Sequence, residues 1–270
     1  MCQKCNVVPF AKMCASGNDF IVINNMNKDI NIDQSMVKKW CDRKRGIGAD
    51  GFLVLETSLS ASFKMRIINA DGSEAEMCGN GARCMAMYAY LKGIAARVMK
   101  FETLAGMINA EVTEEQIKVQ LTGMADYKPD IKIKDYPPVH FINTGVPHAV
   151  LLVDNVDDAD VVTTGHELRY HQAFQPAGTN VDFVEIVDGS LIKVRTYERG
   201  VEDETLACGT GSAASACICT LLGMVSPPVR VITKGGEVLT IYIEQDDIFL
   251  EGKASIIFEG QMYAGRGTKC

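Results

Sequence analysis

The stretch CGNGARCMAMYAYLKG at 78–93 recurs 130 residues later as CGTGSAASACICTLLG at 208–223. In each copy a cysteine and a Gly-x-Gly turn lead into small and apolar residues that close on a glycine, Gly93 or Gly223. The pattern predicts a helix after the turn and a left-handed cap at the closing glycine. Both runs are apolar on nearly every side, which suits a helix enclosed by other elements.

The same offset holds on either side of these blocks. FIVINN (20–25) falls on VLLVDN (150–155), GADGFLV (48–54) on GTNVDFV (178–184), and Thr103-x-x-Gly106 on Thr233-x-x-Gly236, all at 130 residues. KMRIIN (64–69) falls on KVRTYE (193–198) at 129, a one-residue slip that a loop absorbs. Collinear matches at a nearly constant offset indicate two like-folded halves.

FIVIN, FLVLE, KMRIIN and VMKFE, with VLLV, VDFVEI, LIKVRTYE and VRVIT in the second half, are apolar and β-branched and predict strands. DQSMVKKWCDRKR (33–45) and TTGHELRYHQAF (163–174) predict outer, amphipathic helices. The fold class expected is α+β: two similar, pseudo-symmetric domains, each a curved, mostly antiparallel sheet wrapped around a buried central helix. Residues 123–138, GMADYKPDIKIKDYPP, concentrate Gly, Pro and charge and are expected to link the halves. The expected domains are 1–124, carrying Cys78, and 125–270, carrying Cys208, with the last strand allowed to return to the first domain.

The composition, 47% hydrophobic and 23% charged, is that of a globular protein, with no run of about 18 apolar residues to span a membrane. MCQKCNVVPFAKM lacks the apolar stretch of a signal peptide, so a cytoplasmic location is expected. A net charge of −7 without a Lys/Arg cluster argues against nucleic acid and favours a small-molecule partner. Ten cysteines in a chain of this length are expected to be free thiols, because disulfide frameworks belong to small secreted chains.

The duplication places Cys78 and Cys208 at equivalent positions, each just before the first turn of a buried helix. Free N–H groups and the positive dipole end there stabilise a thiolate, lowering a cysteine pKa from about 8.5 toward about 3.5–7.5. If the halves pack about a pseudo-twofold axis, the two sulfurs flank one ligand, a thiolate to remove a proton and an opposed thiol to supply one. Inversion at an α-carbon needs such a base and acid, with donors for the charge that develops at the carboxylate. The glycine turns offer backbone donors. Cys84, Cys217 and Cys219 lie within apolar helices and Cys41 within a helical pattern, so packing is their expected role, and Cys2, Cys5, Cys14 and Cys270 are given none.

SGNDFIVI (16–23), NADGSEAEMCGNGARC (69–84), GTNVDFV (178–184) and YERGVEDETLACGTGS (197–212) resemble, in order and along nearly the whole chain, the signature blocks of the diaminopimelate epimerases. The resemblance implies a two-domain fold with internal pseudo-symmetry and interconversion of LL- and meso-diaminopimelate without pyridoxal phosphate or any other cofactor or metal. That step leads toward lysine and cell-wall precursors. Carried onto this chain, the family's substrate contacts fall on Asn18, Asn69, Asn180, Glu198 and Arg199, with backbone donors from Gly79, Asn80, Gly209 and Thr210. His148 and Glu198 resemble the residues that tune the thiols. A zwitterion with two amino and two carboxylate groups needs hydrogen bonds of both polarities, which asparagine supplies, and Arg199 suits a distal carboxylate. The resemblance also implies a homodimer, with Phe258 the candidate interface residue.

Some relatives have Asn where this chain has Val146, and others Gln where it has Gly51. These departures touch the distal pocket, so a related racemase of another amino acid is one alternative. A phosphate- or nucleotide-binding protein, through GTGSAA (209–214), is a second from another class. GIGADG (46–51) follows a helical pattern and precedes a strand, the reverse of the dinucleotide-binding order. His166 and His171 are five residues apart, which rotates them roughly 140° around a helix and off a common metal-binding face.

Overall fold

The computed structural model describes residues 7–245 and 247–263; Cys2, Cys5 and Cys270 lie outside the described residues. The chain forms two units, one from Met1–Ile117 with Lys253–Cys270, the other from Lys118–Gly252. No helix among the described residues is long and apolar enough to cross a membrane.

The first unit contains β1 (Val7–Ala15), β2 (Asn18–Asn24), α1 (Gln34–Cys41), β3 (Gly51–Glu56), β4 (Phe63–Asn69), β5 (Glu74–Ala75), α2 (Gly79–Leu91), β6 (Val98–Thr103) and β7 (Gly106–Val112). β8 (Ile117–Gln120) runs through the boundary. β1–β2, β3–β4 and β6–β7 pair antiparallel, while β2–β3 and β4–β6 pair parallel.

The second unit contains β9 (Ala125–Ile131), β10 (Val139–Asn143), β11 (Pro147–Leu152), α3 (Val161–Arg169), β12 (Asn180–Asp188), β13 (Leu191–Glu198), β14 (Asp203–Thr205), α4 (Gly209–Leu221), β15 (Val229–Thr233), β16 (Val238–Glu244) and β17 (Asp247–Gly252). Its pairings repeat the first unit's: β10–β11, β12–β13 and β15–β16 antiparallel, β11–β12 and β13–β15 parallel. β9 adds antiparallel to β10. The final strand, β18 (Ser255–Tyr263), belongs to the first unit and adds antiparallel to β1, the place β9 holds beside β10. The fold is therefore α+β and mostly sheet, with two parallel pairs in each unit.

Helices α2 and α4 have matching lengths of 13 residues, and most of their residues are buried. α2 packs against β1, β2, β3, β4, β7 and β18, and α4 against β10, β11, β12, β13, β15, β16 and β17. Small residues let these backbones come close to the strands on several sides. Both helices end as the closing glycines require, Gly93 at φ 66° and Gly223 at φ 70°. Outside the central helices, Trp40 of α1 packs in one cluster with Ile21, Ile23, Phe52 and Val54, while Leu168 of α3 packs in another with Leu151, Phe174, Phe183 and Tyr197.

Three expectations are corrected in detail. The helix expected at 33–45 stops at Cys41, because the Asp42 carboxylate accepts the N–H groups of Lys44 and Arg45, both at 2.8 Å, and forms a turn. The helix expected at 163–174 starts at Val161, with Asp160 accepting the Thr163 N–H at 3.1 Å. It ends at Arg169, and Gln172–Phe174 is a separate 3-10 turn whose cap, His171, accepts the Ala173 N–H at 3.2 Å. The stretch 123–138 holds β9, whose residues are almost all exposed and so leave no apolar alternation to read.

Candidate active site

In the first unit Cys78 is the N-cap of α2, and its sulfur accepts the Gly81 N–H at 3.5 Å. The helical ladder opens with the Ala82 N–H on the Cys78 carbonyl at 2.8 Å, so the N–H groups of Gly79 and Asn80 belong to the first turn, which has no intrahelical acceptors. The Cys78 thiol donates to Asn18 Oδ1 at 3.8 Å, and Asn18 Nδ2 donates to Asp50 Oδ2 at 2.9 Å. Arg43 holds Asp50 at 2.6 Å and Asp19 at 2.8 Å, and Lys12 holds Asp19 at 2.7 Å. Burial pushes the Asp19 carboxyl up, but Arg43 and Lys12 outweigh it and hold it far below the usual range. Asn69 ends β4 with Nδ2 donating to the Ser73 hydroxyl at 3.0 Å. Asn80 is buried and its Oδ1 accepts from the buried Arg83 guanidinium at 2.9 Å, which also donates to Ser16 Oγ at 2.6 Å.

In the second unit Cys208 caps α4 in the same way, its sulfur accepting the Gly211 N–H at 3.4 Å and its carbonyl the Ser212 N–H at 2.9 Å. Gly209 and Thr210 then occupy the first turn. The surroundings differ from those of Cys78. Thr210 Oγ1 lies 3.4 Å from the Cys208 sulfur and 3.0 Å from His148 Nε2. His148 Nδ1 lies 2.7 Å from Asp182 Oδ2, and Asp182 Oδ1 accepts the Thr196 hydroxyl at 2.7 Å. His148 and Asp182 are both wholly buried.

Glu198 stands beside the Cys208 thiol and accepts the Thr205 hydroxyl at 2.8 Å. Burial pushes its carboxyl up, against Thr205, Cys208 and His148, which pull it down. Asn180 Oδ1 accepts the Arg199 N–H at 2.8 Å, its Nδ2 donates to the Pro147 carbonyl at 3.1 Å, and the Arg199 guanidinium donates to the Ala177 carbonyl at 2.9 Å.

The expected lowering of both thiol pKa values is corrected at Cys208. Burial pushes that thiol well above its ordinary value, and the Glu198 and Asp182 carboxylates push the same way. Thr210 and the Gly211 N–H pull it down by less. A helix N-terminus presents partial charges only at its first turn, and they do not offset a desolvated sulfur beside two carboxylates.

The two units thus repeat one arrangement: a cysteine cap at residue 78 or 208, a strand residue at 18 or 148 that meets the sulfur directly at 18 and only by way of Thr210 at 148, and a strand end at 69 or 198. The diaminopimelate epimerase family model matches residues 10–127 and again 140–257, once across each repeat. The chain belongs to the diaminopimelate epimerase family. A curated diaminopimelate epimerase of a Hydrogenobaculum species is 45% identical over 268 residues, covering 93% of this chain and 97% of that protein. One from Aquifex aeolicus is 44% identical over 270 residues, covering 94% and 97%. Among solved structures, a phenazine biosynthesis protein of Bacillus anthracis shares the fold at a TM-score of 0.73 and 14% identity, covering 95% of this chain and 99% of that one.

Against the family pattern, Gly51 has a structural reason. A Cβ there would lie 3.1 Å from the Phe20 ring, so any larger side chain requires that ring to move. Val146 sits in the turn between β10 and β11, where Thr144 N–H donates to its carbonyl at 3.2 Å. Sequence reasoning missed Asp50 and Asp182 and assigned Thr210 only a backbone role. The available signal for Asp182 was a lone carboxylate inside the apolar strand VDFV, which must find a buried partner.

Proposed function

We propose that this chain catalyses the cofactor-independent interconversion of LL- and meso-diaminopimelate, with Cys78 and Cys208 as the proton-transfer groups. Family membership supports the substrate, and the carrying observation for the chemistry is the repeated cysteine cap, a sulfur that accepts a glycine N–H at the head of a buried helix. One cysteine as thiolate removes the α-proton, and the other as thiol delivers a proton to the opposite face of the carbanion. First-turn N–H groups of Gly79, Asn80, Gly209 and Thr210 suit the α-carboxylate as it gains negative charge. Asn18, Asn69, Asn180, Glu198 and Arg199 are the proposed contacts for the remaining amino and carboxylate groups. His148 and Glu198 act on Cys208.

The proposed setting is the cytoplasm and the proposed assembly a homodimer. Phe258, half-exposed on β18 with its ring edge-on to Phe10 at 5.9 Å, is the proposed interface residue. The test is incubation with LL-diaminopimelate in deuterated water without added cofactor. Deuterium should enter the α-carbon as the meso isomer forms, and Cys78→Ala and Cys208→Ala should each lower the rate by about 10²–10⁴-fold or more. Exchange that survives either substitution, or turnover only of a different amino acid, contradicts the proposal.

A further inference from the structure

We propose that Asp182 is a positioning residue that fixes His148 with Nδ1 protonated and Nε2 turned as an acceptor toward Thr210, giving the Cys208 proton a hydroxyl-bridged path to a buried imidazole. The inference rests on Cys208 being a reacting thiol. It begins with donor and acceptor accounting in the second unit. Asp182 already accepts the Thr196 hydroxyl at Oδ1, and an ionised carboxylate has only acceptors to offer. The 2.7 Å contact at Oδ2 therefore requires the proton on His148 Nδ1. In the neutral ring that proton leaves Nε2 with a lone pair, and Thr210, 3.0 Å away, then donates its hydroxyl proton to it. With that proton committed, the Thr210 oxygen, 3.4 Å from the Cys208 sulfur, is an acceptor open to the S–H, alongside the Glu198 carboxylate that the same thiol also meets.

The proton balance closes within this group. The Cys208 S–H bond breaks as a proton passes to Thr210 Oγ1, and the Thr210 proton passes to His148 Nε2. The result is a thiolate and an imidazolium, with Asp182 as counter-ion. The pocket keeps its net charge, so the buried sulfur ionises without a lone charge being stranded in a low dielectric. Glu198, on β13, is the other ionisable group that meets Cys208, and Asp182 and Glu198 are the two carboxylates that act on it.

At Cys78 the aligned strand position carries a different group. Asn18, which aligns with His148 in the repeat, presents an amide oxygen to the Cys78 thiol, and an amide does not take up a proton near neutral pH. The glycine of the Cys208 turn shows how closely Asp182 is built in. A Cβ on Gly211 would lie 2.4 Å from Asp182 Oδ1, whereas one on Gly81 would meet Leu53 Cδ2 at 3.1 Å.

The test has opposite signs for the two readings of Asp182. If Asp182 were only a negative charge near the sulfur, Asp182→Asn would let Cys208 ionise at lower pH and react faster with iodoacetamide. If Asp182 positions the imidazole, the new amide donates to Nδ1, the tautomer reverses, and labelling of the Cys208 peptide should slow by about tenfold at fixed pH, an upward shift of about one unit. Faster or unchanged labelling overturns the proposal. A second measurement reads the tautomer in the unsubstituted protein: long-range proton–nitrogen NMR on the full chain, which has four histidines, with the three others identified by the loss of each signal in His140→Gln, His166→Gln and His171→Gln. The Nδ1-protonated tautomer is expected, and an Nε2-protonated His148 overturns the assignment. Both readouts use the protein alone, so absence of deuterium exchange in the wild-type chain would remove the proposed reaction without altering either result.

Discussion

Glu198 presses on the Cys208 sulfur with a carboxylate that burial itself makes reluctant to ionise. Glu198→Gln keeps the shape and removes the charge. Cys208 should then ionise at lower pH, by about one unit, read as the pH midpoint of iodoacetamide labelling at that peptide. This is opposite in direction to the Asp182→Asn result, so the pair of variants separates a charge from a positioning group. An unmoved midpoint in Glu198→Gln would contradict the assignment of that carboxylate. Cys78 and Cys208 could be read from the repeat, since a cysteine before Gly-x-Gly recurs at a fixed offset. Asp182 could not be read the same way, because its counterpart at the matching offset is the apolar Phe52 and its partners come from β11 and β13.

Among the elements, α2 and α4 were legible nearly to their ends. Glycines mark both termini, and each helix is surrounded by strands, so its apolar residues show no preferred side. β9 was not legible, since an exposed edge strand with charged residues has no buried face to pattern. The two helix starts differ in what they tolerate. Gly211→Ala drives a methyl into Asp182 and Thr196, and overpacking of that kind should cost about 1–3 kcal/mol by urea unfolding. Gly81→Ala crowds the tip of Leu53, which can turn aside, and meets Cys78 Cβ and Phe20 Cζ at ordinary contact distances of 3.6 and 3.7 Å, so a loss below about 1 kcal/mol is expected. Equal losses at the two sites would show that Asp182 is not held as described.

For the molecule as a whole, buried thiols contribute a loss of stability at alkaline pH. Burial raises Cys41 to about 11 and Cys217 and Cys219 to about 12, and it lifts Cys208 in the same direction. The folded chain then holds protons that the unfolded chain releases, so stability falls as pH rises. The contribution is complete below about pH 8.5, where unfolded thiols are protonated, and is lost as pH climbs through the folded values, at up to roughly 1.4 kcal/mol per pH unit per thiol. Urea midpoints measured on either side of about pH 9 should show this decline. Cys217→Ala should make the slope shallower by about one thiol's share, and an unchanged slope would mean that these sulfurs ionise while folded.

β18 completes the first unit by pairing with β1, although some 240 residues of sequence separate them. A ribosome therefore delivers β2, the first neighbour of β1, at once, but every strand of the second unit before β18, the neighbour on the other edge. Until that last segment emerges, the edge of β1 that faces away from β2 offers an open row of backbone donors and acceptors to any passing extended chain. The nascent protein thus has a period of vulnerability to wrong pairing, and a premature stop shortly before Ser255 would make that state permanent.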